Sequence, residues 1–172
     1  MELTVRHPRV LLLIDRWNWA FHTIARAIMD HLSDRFHFTL LCTADRPVID
    51  ENAFDIIHVL YEYETSHRPF LRGQAKIVRG VYSHYWQEWN LSTDEFYRRY
   101  LSDAHAIAVP SKKLYNLLQH LPPAVSVCPE GVDTLIFHPT GDRSGPFIAG
   151  WAGDPTRDIK RFSWAREACE DL

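Results

Sequence analysis

Short apolar runs alternate along this chain with longer stretches in which apolar residues recur every three or four positions. Arg9 to Asp15 (RVLLLID) is an almost unbroken apolar run ending in a carboxylate, the pattern of a strand buried on both faces of a parallel sheet. Ala20, Ile24, Ala27, Ile28 and His31-Leu32 then follow at helical spacing and predict a helix over residues 18–32, with Asn18 as its N-cap. FHFTLLC (Phe36–Cys42), FDIIHVL (Phe54–Leu60) and KIVRGV (Lys76–Val81) predict three further strands. Ser92 or Thr93 caps a helix with Glu95 near its start, and AHAIAV (Ala104–Val109) is a fifth strand. Pro110-Ser111 opens a helix whose Leu114, Leu117, Leu118 and Leu121 form one apolar stripe, and Pro122-Pro123 stops it. Val125 to Cys128 is the sixth strand.

Strands alternating with helices at this spacing predict an α/β fold with a doubly wound, mostly parallel sheet and right-handed crossovers. Ligands in such sheets bind beyond the carboxyl ends of the strands, where the strand order reverses. Three loops share that rim: 16–19 after the first strand, 82–89 after the fourth and 129–133 after the sixth. In the last of these Pro129 ends the strand, Gly131 offers positive φ for a turn, and Phe137 is expected to anchor the exit from the domain. Beyond Pro139 the polar stretch TGDRSGP reads as a linker. A strand Phe147–Gly150 (FIAG) and a helix from about Ile159, marked by Phe162, Ala165, Ala168, Cys169 and Leu172, complete the pattern. The expected organisation is a first domain over 1–139, then 140–172 as a linker and the opening βα unit of a truncated second domain.

Composition narrows the function classes. With 172 residues, the chain is long enough for one good core and short for two ordinary domains. A net charge of -3 and no basic stripe argue against a nucleic-acid binder. No apolar run approaches the ~18 residues needed to cross a bilayer, and MELTVRHPRV lacks the apolar centre of a signal peptide. Cys42, Cys128 and Cys169 are widely separated, which predicts reduced, buried thiols and a cytoplasmic location.

The chemistry-bearing signatures are partly negative. The sequence has no G-x-G-x-x-G, P-loop, D-x-D, H-E-x-x-H or paired cysteines at zinc spacing, so neither a metal nor a cofactor is expected. The loop Arg16-Trp17-Asn18-Trp19 can stack on a sugar ring or hold an anionic group, although one Trp reads equally well as core. His84 can hydrogen-bond a ligand hydroxyl, or be a structural histidine beside Tyr85 and Trp86. Glu62 and Glu64 could pair as acid and base, but an edge-loop position favours solvated carboxylates. A flavodoxin-like response or cofactor domain is disfavoured, because the first loop has neither an acidic pair nor a Ser/Thr/Gly phosphate cradle.

The stretch Val125–Pro139, VSVCPEGVDTLIFHP, resembles the strand, loop and linker that close the first domain of retaining GT-B-fold glycosyltransferases related to glycogen and sucrose synthases, where the pattern is "PNGVD…F.P". Phe54-Asp55-Ile56-Ile57-His58 is similar to the family's "fDvvh.h" strand, and Ala108 to Leu114 to its "i.vS..l" step. Gly150-Trp151-Ala152-Gly153 with Asp154 to Arg161 is similar to the start of its second domain, usually "vG…..KG". Glu130 stands where the family has Asn, Arg161 where it prefers Gly, and 16–19 where it often has paired glycines.

The resemblance implies the Rossmann-like, acceptor-side half of a metal-independent, retaining hexosyltransferase of carbohydrate biosynthesis, moving sugar from a nucleotide diphosphate to a hydroxyl acceptor. It implies that Arg157 and Lys160 grip the donor diphosphate, with Gly131 and Asp133 on the donor side and His84 at the donor sugar. Arg16, Trp17 and Asn18 would meet the acceptor. Fixed cations can stabilise a departing diphosphate without a metal. This fragment alone is expected to be inactive or nearly so. The competing reading is a non-catalytic Rossmann-like module that pairs with another subunit, or forms a homodimer through the 140–172 unit.

Overall fold

The structure, a computed structural model, describes residues 6–66, 74–135, 137–138, 141, 145 and 161–170. They fall in two compact units, Met1–Gly131 and Val132–Leu172.

The first unit is built on six parallel strands: β1 (Arg9–Ile14), β2 (His37–Cys42), β3 (Ile56–Val59), β4 (Lys76–Gly80), β5 (Ala106–Val109) and β6 (Ala124–Val127). Their order is β2-β1-β3-β4-β5-β6. The chain therefore steps outward from β1 to β2, returns to the other side of β1, and then adds strands in one direction. The reversal that creates a binding crevice in doubly wound sheets lies between β1 and β3.

Side chains of successive strand residues leave opposite faces of the sheet, and both faces of β1 are covered. Val10, Leu12 and Ile14 pack under helix α1 (Ala20–Leu32), against Phe21, Ile24, Ala25, Ile28 and Met29. Leu11 and Leu13 join Ile57, Val59 and Ile77 on the opposite face. Two expected positions of α1, Ala20 and Ala27, are exposed, whereas Phe21 and Ala25 do the packing. The apolar face of α1 is rotated by one residue from the predicted stripe.

A second core forms beyond β4. Two short helices, α2 (Tyr85–Glu88) and α3 (Thr93–Phe96), bring Trp86 and Phe96 into a stacked pair 4.3 Å apart. Ser92 caps α3 as expected: its hydroxyl accepts the Glu95 N–H, and the Glu95 carboxylate accepts the Ser92 N–H. The helix continues as a π-turn, Tyr97–Leu101. Helix α4 (Lys112–Leu118), capped by Ser111, adds Leu114 and Leu118, with Leu121 just beyond it. In the second unit the described helix is α5 (Phe162–Glu170). The predicted strand Phe147–Gly150 lies outside the described residues.

One buried row of the sheet contains a charge. Register places Leu13 beside Val59, Val59 beside Arg79 and Arg79 beside Ile107. Arg79 is fully buried and holds Asp103 through two bonds, Nε to Oδ1 at 3.0 Å and Nη2 to Oδ2 at 2.6 Å. Its Nη1 donates to the Glu64 carbonyl, so this one side chain ties the loop after β3 to the turn before β5.

Candidate functional site

The carboxyl ends of β1, β3 and β4 carry the polar groups of the rim. After β1, Asp15 is held from its carbonyl side by the Cys42 thiol at 3.4 Å, and its Oδ1 is buried without a partner. The next four residues form a tied loop. Trp17 Nε1 donates to Asp45 Oδ2 at 2.6 Å, and its ring meets His22 edge-on. Asn18 adopts φ 56° and its N–H is accepted by His22 Nδ1. Arg16 lies over the Trp19 ring at 5.8 Å. Asn18 is thus not the N-cap; Trp19 occupies that position without a side-chain cap, and His22 satisfies the chain entering the helix. Both Trp17 and Trp19 are exposed, at 39% and 54%, so neither is core.

After β3 comes Tyr61-Glu62-Tyr63-Glu64. Glu62 is not solvated: it is 2% exposed, and its Oε1 accepts both the Ser83 N–H at 3.2 Å and the Ser83 hydroxyl at 2.7 Å. Its Oε2 is buried without a partner. Burial raises the Glu62 carboxyl above the ordinary glutamate range, and hydrogen bonds from Ser83 and from the Glu62 and Tyr82 backbone offset this only in part. Tyr63 places its hydroxyl 3.5 Å from Ser83 Oγ, and burial pushes that phenol up to about 12. Burial also raises Tyr61, reinforced by the Glu62, Asp15 and Glu64 carboxylates.

The rings of these loops are continuous. Phe21 contacts Tyr82 and Tyr61, Tyr61 contacts Tyr63, and Tyr63 packs on Trp89 at 4.8 Å and on Tyr100 at 5.2 Å. Trp89 stays 52% exposed. Gly80 makes room for one of these rings. A Cβ there would come within 2.5 Å of the Tyr82 ring and 3.2 Å of the Leu60 carbonyl.

Of the predicted site residues, Arg16, Trp17, Asn18 and His84 are exposed on the rim formed by the β1 and β4 loops. Gly131 is exposed after β6 and does not use positive φ, since the positive-φ glycine among the described residues is Gly141. In the second unit Asp133 is exposed and accepts the Leu135 N–H. Phe137 is 69% exposed rather than the buried anchor expected of it. Arg157 and Lys160 lie outside the described residues. Cys42 is buried, but Cys128 and Cys169 are exposed, so two of the three thiols depart from expectation.

The sequence pattern missed Glu62, Ser83 and Asp15 as a group. A usable signal was present, because Asp15 directly follows the apolar end of β1, and Glu62 and Ser83 come shortly after the ends of β3 and β4. The strand order is shared with flavodoxin-like domains. Even so, the tied loop after β1 has no Ser, Thr or Gly with which to cradle a phosphate. Among the described residues, no group of three or more His, Cys, Asp or Glu could hold a metal ion, and no helix is long and apolar enough to cross a membrane. No family model, curated protein or solved structure matches the chain.

Proposed function

We propose that this chain is the acceptor-side, sugar-binding part of a nucleotide-sugar-dependent glycosyltransferase. The observation that carries the reading is the rim itself. Three exposed indoles, Trp17, Trp19 and Trp89, stand on the loops after β1 and β4, with Ser83 and Asp15 at the strand ends between and the buried Glu62 bonded to Ser83. Sugar rings offer an apolar C–H face to aromatic rings and a belt of hydroxyls to carboxylates and phenols. The Trp17 indole N–H is already taken by Asp45, which fixes a ring that stays partly open to solvent for stacking. In this reading His84 binds a sugar hydroxyl, Arg16 and Asn18 orient the acceptor, and Gly131, Asp133, Arg157 and Lys160 serve the donor. The transfer itself rests on the resemblance of VSVCPEGVDTLIFHP and needs donor contacts beyond this rim.

The test is titration with neutral mono- and disaccharides, followed by the indole N–H signals in NMR. Trp17, Trp19 and Trp89 should shift while buried Trp86 stays fixed, and Trp17→Ala should weaken binding roughly tenfold. Sugar-induced shifts in none of the three indoles would end the reading. Assay with a panel of nucleotide-diphosphate sugars then asks whether the chain transfers sugar.

One observation favours the alternative of a non-catalytic assembly module. Val132, Leu135, Phe137 and Trp164 of the second unit are each more than 60% exposed. Such apolar exposure suits pairing with another subunit or a second copy. A concentration-dependent dimer on sizing, lost in Phe137→Ser, would support it.

A further inference from the structure

Glu62 joins the loops after β3 and β4 through a single oxygen. Oε1 accepts from both the backbone and the hydroxyl of Ser83, whereas Oε2 is sealed from water and has no partner. We propose that Glu62 is a proton-operated latch: neutral, it pins Ser83 and keeps the two rim loops together; ionised, it lets them part. This goes beyond the sugar-binding reading and stands without it.

The surroundings decide the sign. On its own loop Glu62 has Tyr61, Tyr63 and Glu64 as chain neighbours, and on the β4 loop it meets Tyr82 and Ser83. Asp15 and Glu64 act on Tyr61 together with Glu62, and Glu130 acts on Tyr82 together with Glu62. The carboxylates sharing its surroundings are therefore of like sign. Tyr100, reached through Tyr63, brings a neutral phenol from the π-turn. Among the described residues the buried cation is Arg79, which holds Asp103 through both carboxylate oxygens and meets this loop at the Glu64 carbonyl, so its charge is already matched. Ionised Glu62 would then have both Ser83 donors on Oε1, some help from the Glu62 and Tyr82 backbone, no hydrogen-bond partner on Oε2 and, among the described residues, no paired cation, so burial outweighs what the donors return. A charge so placed gains more from moving into water than it loses by releasing Ser83.

Opening would separate Tyr63 and Ser83 and expose the aromatic run behind them, so the latch sets how far the rim is open at a given pH. As pH rises through the Glu62 titration, the closed form loses its hold. The Ser83 amide reports the latch directly, because its N–H is bonded to Glu62 Oε1.

Two measurements by NMR test this on the full chain: titration of the Glu62 carboxyl carbon and exchange of the Ser83 amide, corrected for base-catalysed intrinsic exchange. The expected result is a Glu62 midpoint above the ordinary 4.5 and Ser83 protection that falls at least about tenfold across the same interval. Glu62→Gln keeps the acceptor oxygen and removes the proton, so its Ser83 protection should not change with pH. A Glu62 midpoint at or below 4.5 would overturn the latch. So would Ser83 protection that ignores the Glu62 titration, or a Gln variant that loses protection in step with the wild type. Should that variant fail to fold, the two wild-type curves decide.

Discussion

The stretch Val125–Pro139 runs out of β6 and the stretch Tyr61–Glu64 follows β3 of the same sheet, yet they are built in opposite ways. In the first, the described residues from Ser126 onward are all exposed, Phe137 among them, and a Cβ on Gly131 would meet nothing within 4 Å. In the second, Glu62 is sealed against Ser83, Tyr63 sits in a ring cluster, and Arg79 holds the Glu64 carbonyl from below. The stretch that stands out when read as letters is the looser one. The stretch that reads as an ordinary polar loop is the one the rim is assembled around.

The sharpest way to break this contrast is to remove the brace under Tyr61–Glu64. Asp103→Ala takes the carboxylate from a fully buried guanidinium, and breaking such a pair costs about 3–5 kcal/mol. Urea denaturation should show a loss of that order. A loss under about 1 kcal/mol would mean that Arg79 is not what supports the loop.

Gly80→Ala attacks the same region from the sheet. The added methyl meets the Tyr82 ring, which already leans on Phe21, and the Leu60 carbonyl behind it cannot retreat without moving β3. Overpacking of this kind costs about 1–3 kcal/mol. The Tyr82 ring signals should shift with it, and unchanged stability and spectra would refute the fit.

How much of the fold and the rim is legible in the sequence follows from what each pattern encodes. Burial on both faces of a parallel sheet writes itself as an apolar run, so RVLLLID, FDIIHVL and KIVRGV are recognisable as strands from their letters alone. Ser92 with Glu95 and Ser111 with Leu114 are readable too, because a cap is a local bond between residues three apart. The Glu62–Ser83 pair and the Arg79–Asp103 pair link residues more than 20 positions apart. Nothing in a single sequence marks such partners, and an isolated Glu in a polar loop is usually solvated. The strand order is equally hidden, since β1 meets β3 as readily as β2 in the alternating pattern, and with it goes the place of the crevice.

His58 sharpens the comparison by pH. It lies on β3, shortly before the Tyr61 loop, with Nε2 buried and unpartnered. Desolvation lowers its pKa from 6.5 to about 4. The folded chain therefore refuses a proton that the unfolded chain accepts below pH 6.5, and stability falls as pH drops from there toward 4. At pH 5 the loss amounts to about 2 kcal/mol, so His58→Leu should be the more acid-resistant protein in thermal melts. Parallel pH profiles for the two would show that the imidazole is solvated after all.

Gly131→Ala closes the comparison with the smallest effect, set against Gly80→Ala. Within the recognisable stretch, Gly131 is the residue expected to supply a turn, yet it does not take positive φ, and nothing lies within 4 Å of an added Cβ. An alanine there meets no clash and no backbone strain, while the unfolded chain loses some freedom. The expected change lies between zero and a gain of about 1 kcal/mol. If Gly131→Ala instead cost as much as Gly80→Ala in the same denaturation experiment, the loop after β6 would be packed as tightly as the one after β3. The contrast between the two regions would then fail.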